Sequence, residues 1–263
     1  MNRFVISLAY DGSAFQGWQK QLENGVIKIR NGREVRTVQS ELERALREIA
    51  KEPIRTIGSS RTDAGVHALN QYAHFDFPVD MTTEQIRLAL TSKLSKDIRI
   101  NKVYCVDDDF HTRFCATGRS YRFVIARELT PFNRNYKSYF PRFTIDQERI
   151  QKCLPLFLGE HDFEFFCQKS EELKTFVSVV SSVDFYETEE DCIFEISADR
   201  FLHNMVRRII GTLVRLSGRE EVGLIIEELL KRNRKYLHLV YTAPPQGLYL
   251  VDVHYAEGYF STC

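Results

Sequence analysis

Two stretches of this chain carry the same succession of hydrophobic periods, and that repetition limits the possible folds more than any other feature. In the first stretch, Arg3–Tyr10 is an apolar, β-branched run closed by the Asp11-Gly12 turn signal, which reads as a strand. Thr37 is placed to cap a helix whose apolar positions 38, 42, 45, 46 and 49 keep a 3.6-residue period. Strands are expected at about 54–58 and 70–77, a helix at 83–94 and a strand at 98–106. The second stretch reads as a strand at Ser120–Ala126, a helix at 145–157, and strands near 175–186 and 192–198. A helix at 202–217, an added helix near 221–232 and a strand at Gly247–Tyr255 complete it. Both orders are β-α-β-β-α-β, the ferredoxin-like succession. The expected fold is α+β, with half-domains 1–109 and 110–263 and helices packed on antiparallel sheets. Joining those sheets edge to edge would hide two edges from solvent. The halves share no visible sequence similarity, so the repeat is one of pattern only.

At 263 residues and 43% hydrophobic content the chain can bury a substantial core. No apolar run approaches the roughly 18 residues that a membrane span needs, and MNRFVISLAYDG reads as a strand and turn, not a signal peptide. The six cysteines, at 105, 115, 153, 167, 192 and 263, include no Cys-x-x-Cys pair and no His companions. Buried thiols in a reducing cytoplasm are therefore expected, with neither a metal site nor a disulfide framework.

Net charge is zero, but its distribution is uneven. Residues 112–142 hold seven basic side chains against Glu128 alone, and residues 200–219 hold five arginines and no acid. Residues 160–195 hold eleven acids against Lys169 and Lys174. Local fields attract phosphate, so a neutral sum is compatible with a nucleic-acid partner and equally with ordinary solvated surface. Between the first strand and first helix, LENGVIKIRNGREV (22–35) has two Asn-Gly pairs, which favour tight turns. A projecting hairpin carrying Lys28, Arg30, Arg33 and Arg36 follows, either a solvated flap or a surface that touches RNA.

Three segments carry candidate chemistry. Gly58-Ser-Ser-Arg-Thr-Asp-Ala-Gly-Val-His67 presents Asp63 among small residues, with Gly65 able to take a backbone angle other residues avoid. A bulky substrate can approach such a carboxylate, which suits a nucleophile or general base at a sugar carbon; it can also simply close its own turn. Phe110–Phe123 interleaves Arg113, Arg119, Tyr121 and Phe123, and arginine pairs with phosphate while tyrosine stacks on an exposed base. Residues 119, 121 and 123 share one face of a strand. In Phe201–Leu213, His203, Arg207 and Gly211 recur every four residues through an apolar helix. An arginine there either meets a buried anion, for which Asp63 is the natural partner, or snorkels to solvent.

Seven segments occur in one order: Tyr10–Gln19, Arg36-Thr-Val-Gln39, Gly58–His67, His111–Tyr121, Gly159-Glu-His-Asp-Phe163, Phe201–Gly211 and Thr242-Ala-Pro-Pro-Gln-Gly-Leu248. In order and approximate spacing they resemble the tRNA pseudouridine synthase A (TruA) family, from residue 4 to about 255. The resemblance implies an enzyme that isomerises uridine to pseudouridine in the anticodon stem-loop of tRNA, at tRNA positions 38–40. It implies an RNA cleft between the halves, a homodimer, a cytoplasmic location, and neither cofactor nor metal. Asp63 matches the family's catalytic aspartate and Arg207 the basic residue that pairs with it. Tyr121 matches the tyrosine that stacks on the target base and can remove its C5 proton. Arg61 matches an arginine that holds the nucleotide out of the stack, while Arg113, Arg119 and His203 are expected on the substrate. The chain departs from the pattern in three places. The 22–35 hairpin lengthens a shorter link, 164–182 lacks an Arg-Thr-Ile type of sequence, and Ser138-Tyr139-Phe140 stands where Trp is common. Two other function classes compete: a tRNA-binding or refolding module without catalysis, and a small-glycoside hydrolase, which lacks an evident second carboxylate.

Overall fold

The run Phe4–Leu8 is buried without a break, so β1 (Asn2–Tyr10), paired on both edges within a sheet, is covered on both faces as well. A strand covered on both faces has no wet side to alternate with. The computed structural model describes residues 2–23, 25–30, 32–169 and 174–261. It divides into two units, residues 1–117 with 250–263, and residues 118–249.

In the first unit two short ribbons follow β1: β2 (Leu22–Glu23) with β3 (Val26–Ile27), and β4 (Ile29–Arg30) with β5 (Arg33–Glu34). The expected hairpin is thus a pair of hairpins. The asparagines of its turn signals, 24 and 31, lie outside the described residues. Then come α1 (Val38–Ala50), β6 (Ile57–Gly58), β7 (His67–Phe77), α2 (Thr83–Lys93) and β8 (Ile98–Val106). Thr37 caps α1 as expected, its hydroxyl accepting from the Ser40 N–H at 3.2 Å while Ser40 Oγ accepts from the Thr37 N–H at 3.1 Å. Val38, Leu42, Ala45 and Leu46 are the buried stripe. β7 and β8 flank β1 antiparallel, β6 pairs with β7, and β13 (Leu248–Tyr255) lies on the far side of β7. Phe4 packs between Phe75, 6.2 Å away, and Phe77, 6.4 Å away.

β9 (Ala116–Ala126) begins four residues before the expected start and leads into the second unit. There α3 (Gln147–Cys153), β10 (Gly159–Asp162), β11 (Val177–Glu187), β12 (Asp191–Ala198), α4 (Met205–Leu216) and α5 (Val222–Leu230) follow. The sheet order is β10-β11-β12-β9, antiparallel throughout. β10 has no counterpart in the sequence reading, because Gly159-Glu-His-Asp162 has no apolar alternation and pairs only at the edge, with β11. α4 is buried over most of its circumference, as its near-continuous apolar sequence requires. Its expected start at 202 fails because Asn204 is left-handed, φ 63°, which no helical turn can include. Among the described residues no helix is long and apolar enough to cross a membrane, and no His, Cys, Asp or Glu cluster could hold a metal.

Cys115, Cys153, Cys167 and Cys192 are free. Cys105 is disulfide-bonded, so the expectation of thiols throughout is corrected there. The last segment returns antiparallel to β8 at Cys105 and Ser261, a pairing over long sequence distance that spacing does not reveal.

His74 is a buried titratable group of the first unit, 4% exposed. The Thr112 N–H donates to its Nδ1 at 3.3 Å, which leaves the proton on Nε2. Burial chiefly, with help from His111 and Arg3 and against Asp76, pushes its pKa down to about 4 from 6.5. Between those values the unfolded chain takes up a proton that the folded chain refuses. Stability is full above pH 6.5 and is lost as the pH falls toward 4, by about 3 kcal/mol. His74→Gln, which retains an acceptor for Thr112, is expected to flatten the urea midpoint against pH across that window; an unchanged slope would refute the assignment.

Candidate active site

The loop that carries Asp63 is built from backbone hydrogen bonds, which is why its sequence can be so small and polar. Thr62, 7% exposed, is held through both polar ends: its hydroxyl meets the Tyr10 phenol at 2.7 Å, and its carbonyl accepts from the Trp18 N–H at 3.0 Å. The Asp63 carbonyl accepts from the Val66 N–H at 3.2 Å, closing the turn, and the Phe15 carbonyl accepts from the Gly65 N–H at 3.3 Å. Gly65 has φ 78°, the left-handed geometry that its sequence position suggested. Upstream, Ser59 Oγ donates to Gln71 Oε1 at 2.7 Å and Gln71 Nε2 donates to the Ser60 carbonyl at 2.8 Å. Downstream, His67 Nδ1 accepts from the Gly12 N–H at 3.1 Å. Asp63 itself is half-buried and Arg61 exposed, so the loop presents its charged members while burying the residue between them.

Arg113, also in the first unit, is exposed beside Phe114, in a turn where its own N–H donates to His111 Nδ1 at 3.2 Å. The remaining candidates belong to the second unit. On β9 the residues 119, 121, 123 and 125 do share a face, and it is the buried one. Arg119 is 8% exposed and donates from Nη1 to the Asp199 carbonyl at 2.8 Å. Tyr121 is 7% exposed, with Phe201 edge-on at 5.1 Å. The opposite face carries Arg122, paired with Glu195 at 2.7 Å.

His203 precedes α4 and is exposed, so the polar stripe of the helix itself reduces to Arg207 and Gly211. Arg207 donates from Nε to the Ala243 carbonyl at 2.8 Å and from Nη1 to Asn204 Oδ1 at 2.8 Å. Its own carbonyl accepts from the Ala243 N–H at 3.0 Å, so one residue of the 241–243 segment grips Arg207 at two points. Neighbouring Arg208 is different: its Nη1 donates to the Cys167 carbonyl, its Nε is buried without a partner among the described residues, and burial lowers its pKa. Sequence reasoning missed Asn204, Phe201 and Ala243. Only Asn204 had a signal, an Asn directly before an apolar helix.

Segment 241–243 sits this close because residue 211 has no side chain. A Cβ at Gly211 would lie 2.7 Å from the Ala243 nitrogen and closer still to the Tyr241 carbonyl oxygen, both of them backbone. Ala ordinarily gains about 1 kcal/mol over Gly inside a helix. Overpacking of this kind costs roughly 1–3 kcal/mol, and here no rotamer can relieve it. Gly211→Ala is therefore expected to lower the urea midpoint with m unchanged, whereas a raised midpoint would mean the segment is not seated on α4.

The sequence model of the family described as tRNA pseudouridine synthase matches residues 6–115 and 154–256. A tRNA pseudouridine synthase A of Leuconostoc citreum is 36% identical over 266 residues, covering 98% of this chain and 98% of that protein. The protein of the same name from Listeria monocytogenes is 39% identical over 260 residues, covering 97% and 100%. A solved chain from a Cbf5-Nop10-Gar1 complex aligns at 10% identity with a TM-score of 0.39 over 81% of this chain; this chain spans only 44% of it. With near-full-length identity to such relatives and a family match over most of its residues, the chain belongs to the tRNA pseudouridine synthases, enzymes that isomerise uridine in tRNA.

Proposed function

We propose that the chain makes pseudouridine in the anticodon stem-loop, at tRNA positions 38–40, with Asp63 as its catalytic nucleophile. The observation that carries this reading is the Asp63 loop, in which buried bonds through Thr62 fix the backbone on one side of the carboxylate and Gly65 turns it on the other. A group held by the fold in this way need not be ordered when substrate arrives.

The reaction conserves every atom. The bond from C1′ to N1 breaks, the uracil turns over, C5 bonds to C1′, and the C5 proton departs while N1 gains one. An ionised Asp63 assists by engaging the sugar while the ring rotates, and Tyr121 removes the C5 proton. Arg207 pairs with Asp63 and holds it ionised, since a nearby cation favours the carboxylate. The base must leave its stack first, at a cost of a few kcal/mol. Arg61 offsets that cost, as an aromatic and cationic platform does for single-stranded RNA. Arg113, Arg119 and His203 serve the substrate, Arg113 being exposed for a phosphate and Arg119 acting from within its strand face.

The finer architecture is also part of the proposal: two ferredoxin-like halves with joined sheets, an RNA cleft between them, and a cytoplasmic homodimer. The order β8-β1-β7-β6 of the first unit supports the ferredoxin-like reading. Dimerisation rests on the family resemblance, and light scattering of the purified protein tests it.

Unmodified tRNA transcripts incubated with protein alone, then cyanoethylated and read by mass spectrometry, test the reading directly. Wild type is expected to place pseudouridine in the anticodon arm. Asp63→Asn, which keeps the side-chain shape, is expected to yield none while binding tRNA within about threefold of wild type, because shape and most phosphate contacts survive. A fully active Asp63→Asn protein would dismiss the nucleophile; product elsewhere in the tRNA would dismiss the target.

A further inference from the structure

Arg30 and Arg33 stand directly opposite one another across the β4–β5 ribbon. Directly opposed residues of an antiparallel pair project to the same face, and like charges in that position repel. Both side chains are exposed and line a cavity of about 430 Å³ with Ala14, Gln16, Glu34 and Arg36. Arg30 donates to Gln16 Oε1 at 3.3 Å, and Arg33 makes no side-chain hydrogen bond or ion pair among the described residues.

The third arginine of the cavity is already neutralised. Arg36 pairs with Glu41 and with Asp97, 2.6 Å away, and its guanidinium lies 4.2 Å over the Phe15 ring. Glu34 adds one acid to the wall, yet it forms no ion pair with Arg30 or Arg33 among the described residues. Two arginines face an open space with one unmatched acid beside them, and the remaining positive charge lacks an anion.

The cavity is tied to the Asp63 loop within the same unit. Gln16, which lines it, donates its N–H to the Arg36 carbonyl at 2.8 Å. Phe15 and Trp18, on the same short segment, hold Gly65 and Thr62. Both ribbons are braced at their base, where the Lys28 N–H donates to the Gln21 carbonyl at 2.9 Å and the Val35 N–H donates to the Lys28 carbonyl at 2.8 Å.

We propose that the paired Arg30 and Arg33 clamp a backbone phosphodiester of the bound tRNA. The double hairpin is then a substrate-binding addition beside the catalytic loop, and it rests on the reading of the chain as a tRNA-modifying enzyme. Arginine forks match phosphate oxygens, and the repulsion within the pair is relieved when an anion lies between them.

The test compares wild type, Arg30→Gln with Arg33→Gln, and Arg30→Lys with Arg33→Lys. Each is assayed for tRNA binding from low to moderate salt and for pseudouridine formation. Releasing the one clamped phosphate is expected to reduce the slope of log K against log salt by about 0.7–0.9, with KM for tRNA raised more than kcat is lowered. The lysine pair keeps the charge and is expected to retain most of the slope. An unchanged slope in the glutamine pair, with a wild type that makes pseudouridine, overturns the clamp alone. A wild type that binds tRNA but makes no pseudouridine overturns the functional reading and the inference with it. Inorganic phosphate titrated against chloride at equal ionic strength separates the two sources of the anion. Phosphate binding lost in the glutamine pair while the tRNA slope is unchanged assigns the cavity to a free anion and overturns the RNA clamp.

Discussion

Thr62 has little chemistry of its own, yet the placement of the charged residues on either side of it depends on how it is held. Its hydroxyl is engaged by a buried tyrosine and its carbonyl by a tryptophan N–H, so neither end can turn toward solvent. Breaking a buried hydrogen bond leaves a polar group unsatisfied and costs about 1–3 kcal/mol. The backbone on the N-terminal side of Asp63 is thereby fixed by atoms that do not belong to Asp63. This separation lets a carboxylate be half-exposed and still directed. It also ties the loop to the 12–18 segment, and through Gln16 and Arg36 to the double hairpin and to the cap of α1.

The second unit uses the same device with different parts. There the anchoring strand is replaced by a helix without a side chain at one position, and the anchor is the backbone of Ala243. The Ala243 N–H meets the Arg207 carbonyl and the Ala243 carbonyl meets Arg207 Nε, so the arginine is oriented by main chain at both ends of its residue. Asn204 contributes a third contact from a left-handed position that also sets where the helix begins. Adjacent Arg208 is spent inward on the Cys167 carbonyl. Two arginines adjacent in sequence therefore differ in role because successive helix positions are about 100° apart.

Much of the fold was legible because its elements obey local rules. Thr37 and Ser40 cap α1 as a local pair, and the stripe of α1 follows the period that its apolar residues spell out. The Asp63 loop was legible for the opposite reason, since a run of small residues with glycine has no packing purpose of its own. Other features were not legible. β10 carries no alternation and exists because β11 offers it an edge. The wet or dry character of the β9 face could not be read from Arg119 and Tyr121, whose types fit either case; their burial is decided by what packs there, Phe201 among it. The bonded state of Cys105 was not legible either, since spacing alone names no partner for it.

By itself the sequence determined most of the succession of strands and helices, the glycines that permit close backbone approach, and the family to which seven ordered segments assign the chain. These are properties of residues near one another in the chain, set by steric freedom, hydrophobic period and capping chemistry. Only the tertiary structure decided which polar groups are satisfied and which charges remain exposed. It placed Thr62 between Tyr10 and Trp18 and put Ala243 over Gly211. Each of those contacts joins atoms whose separation in sequence has no fixed relation to their separation in space. Their energies depend on burial, and burial exists only once the whole chain has packed.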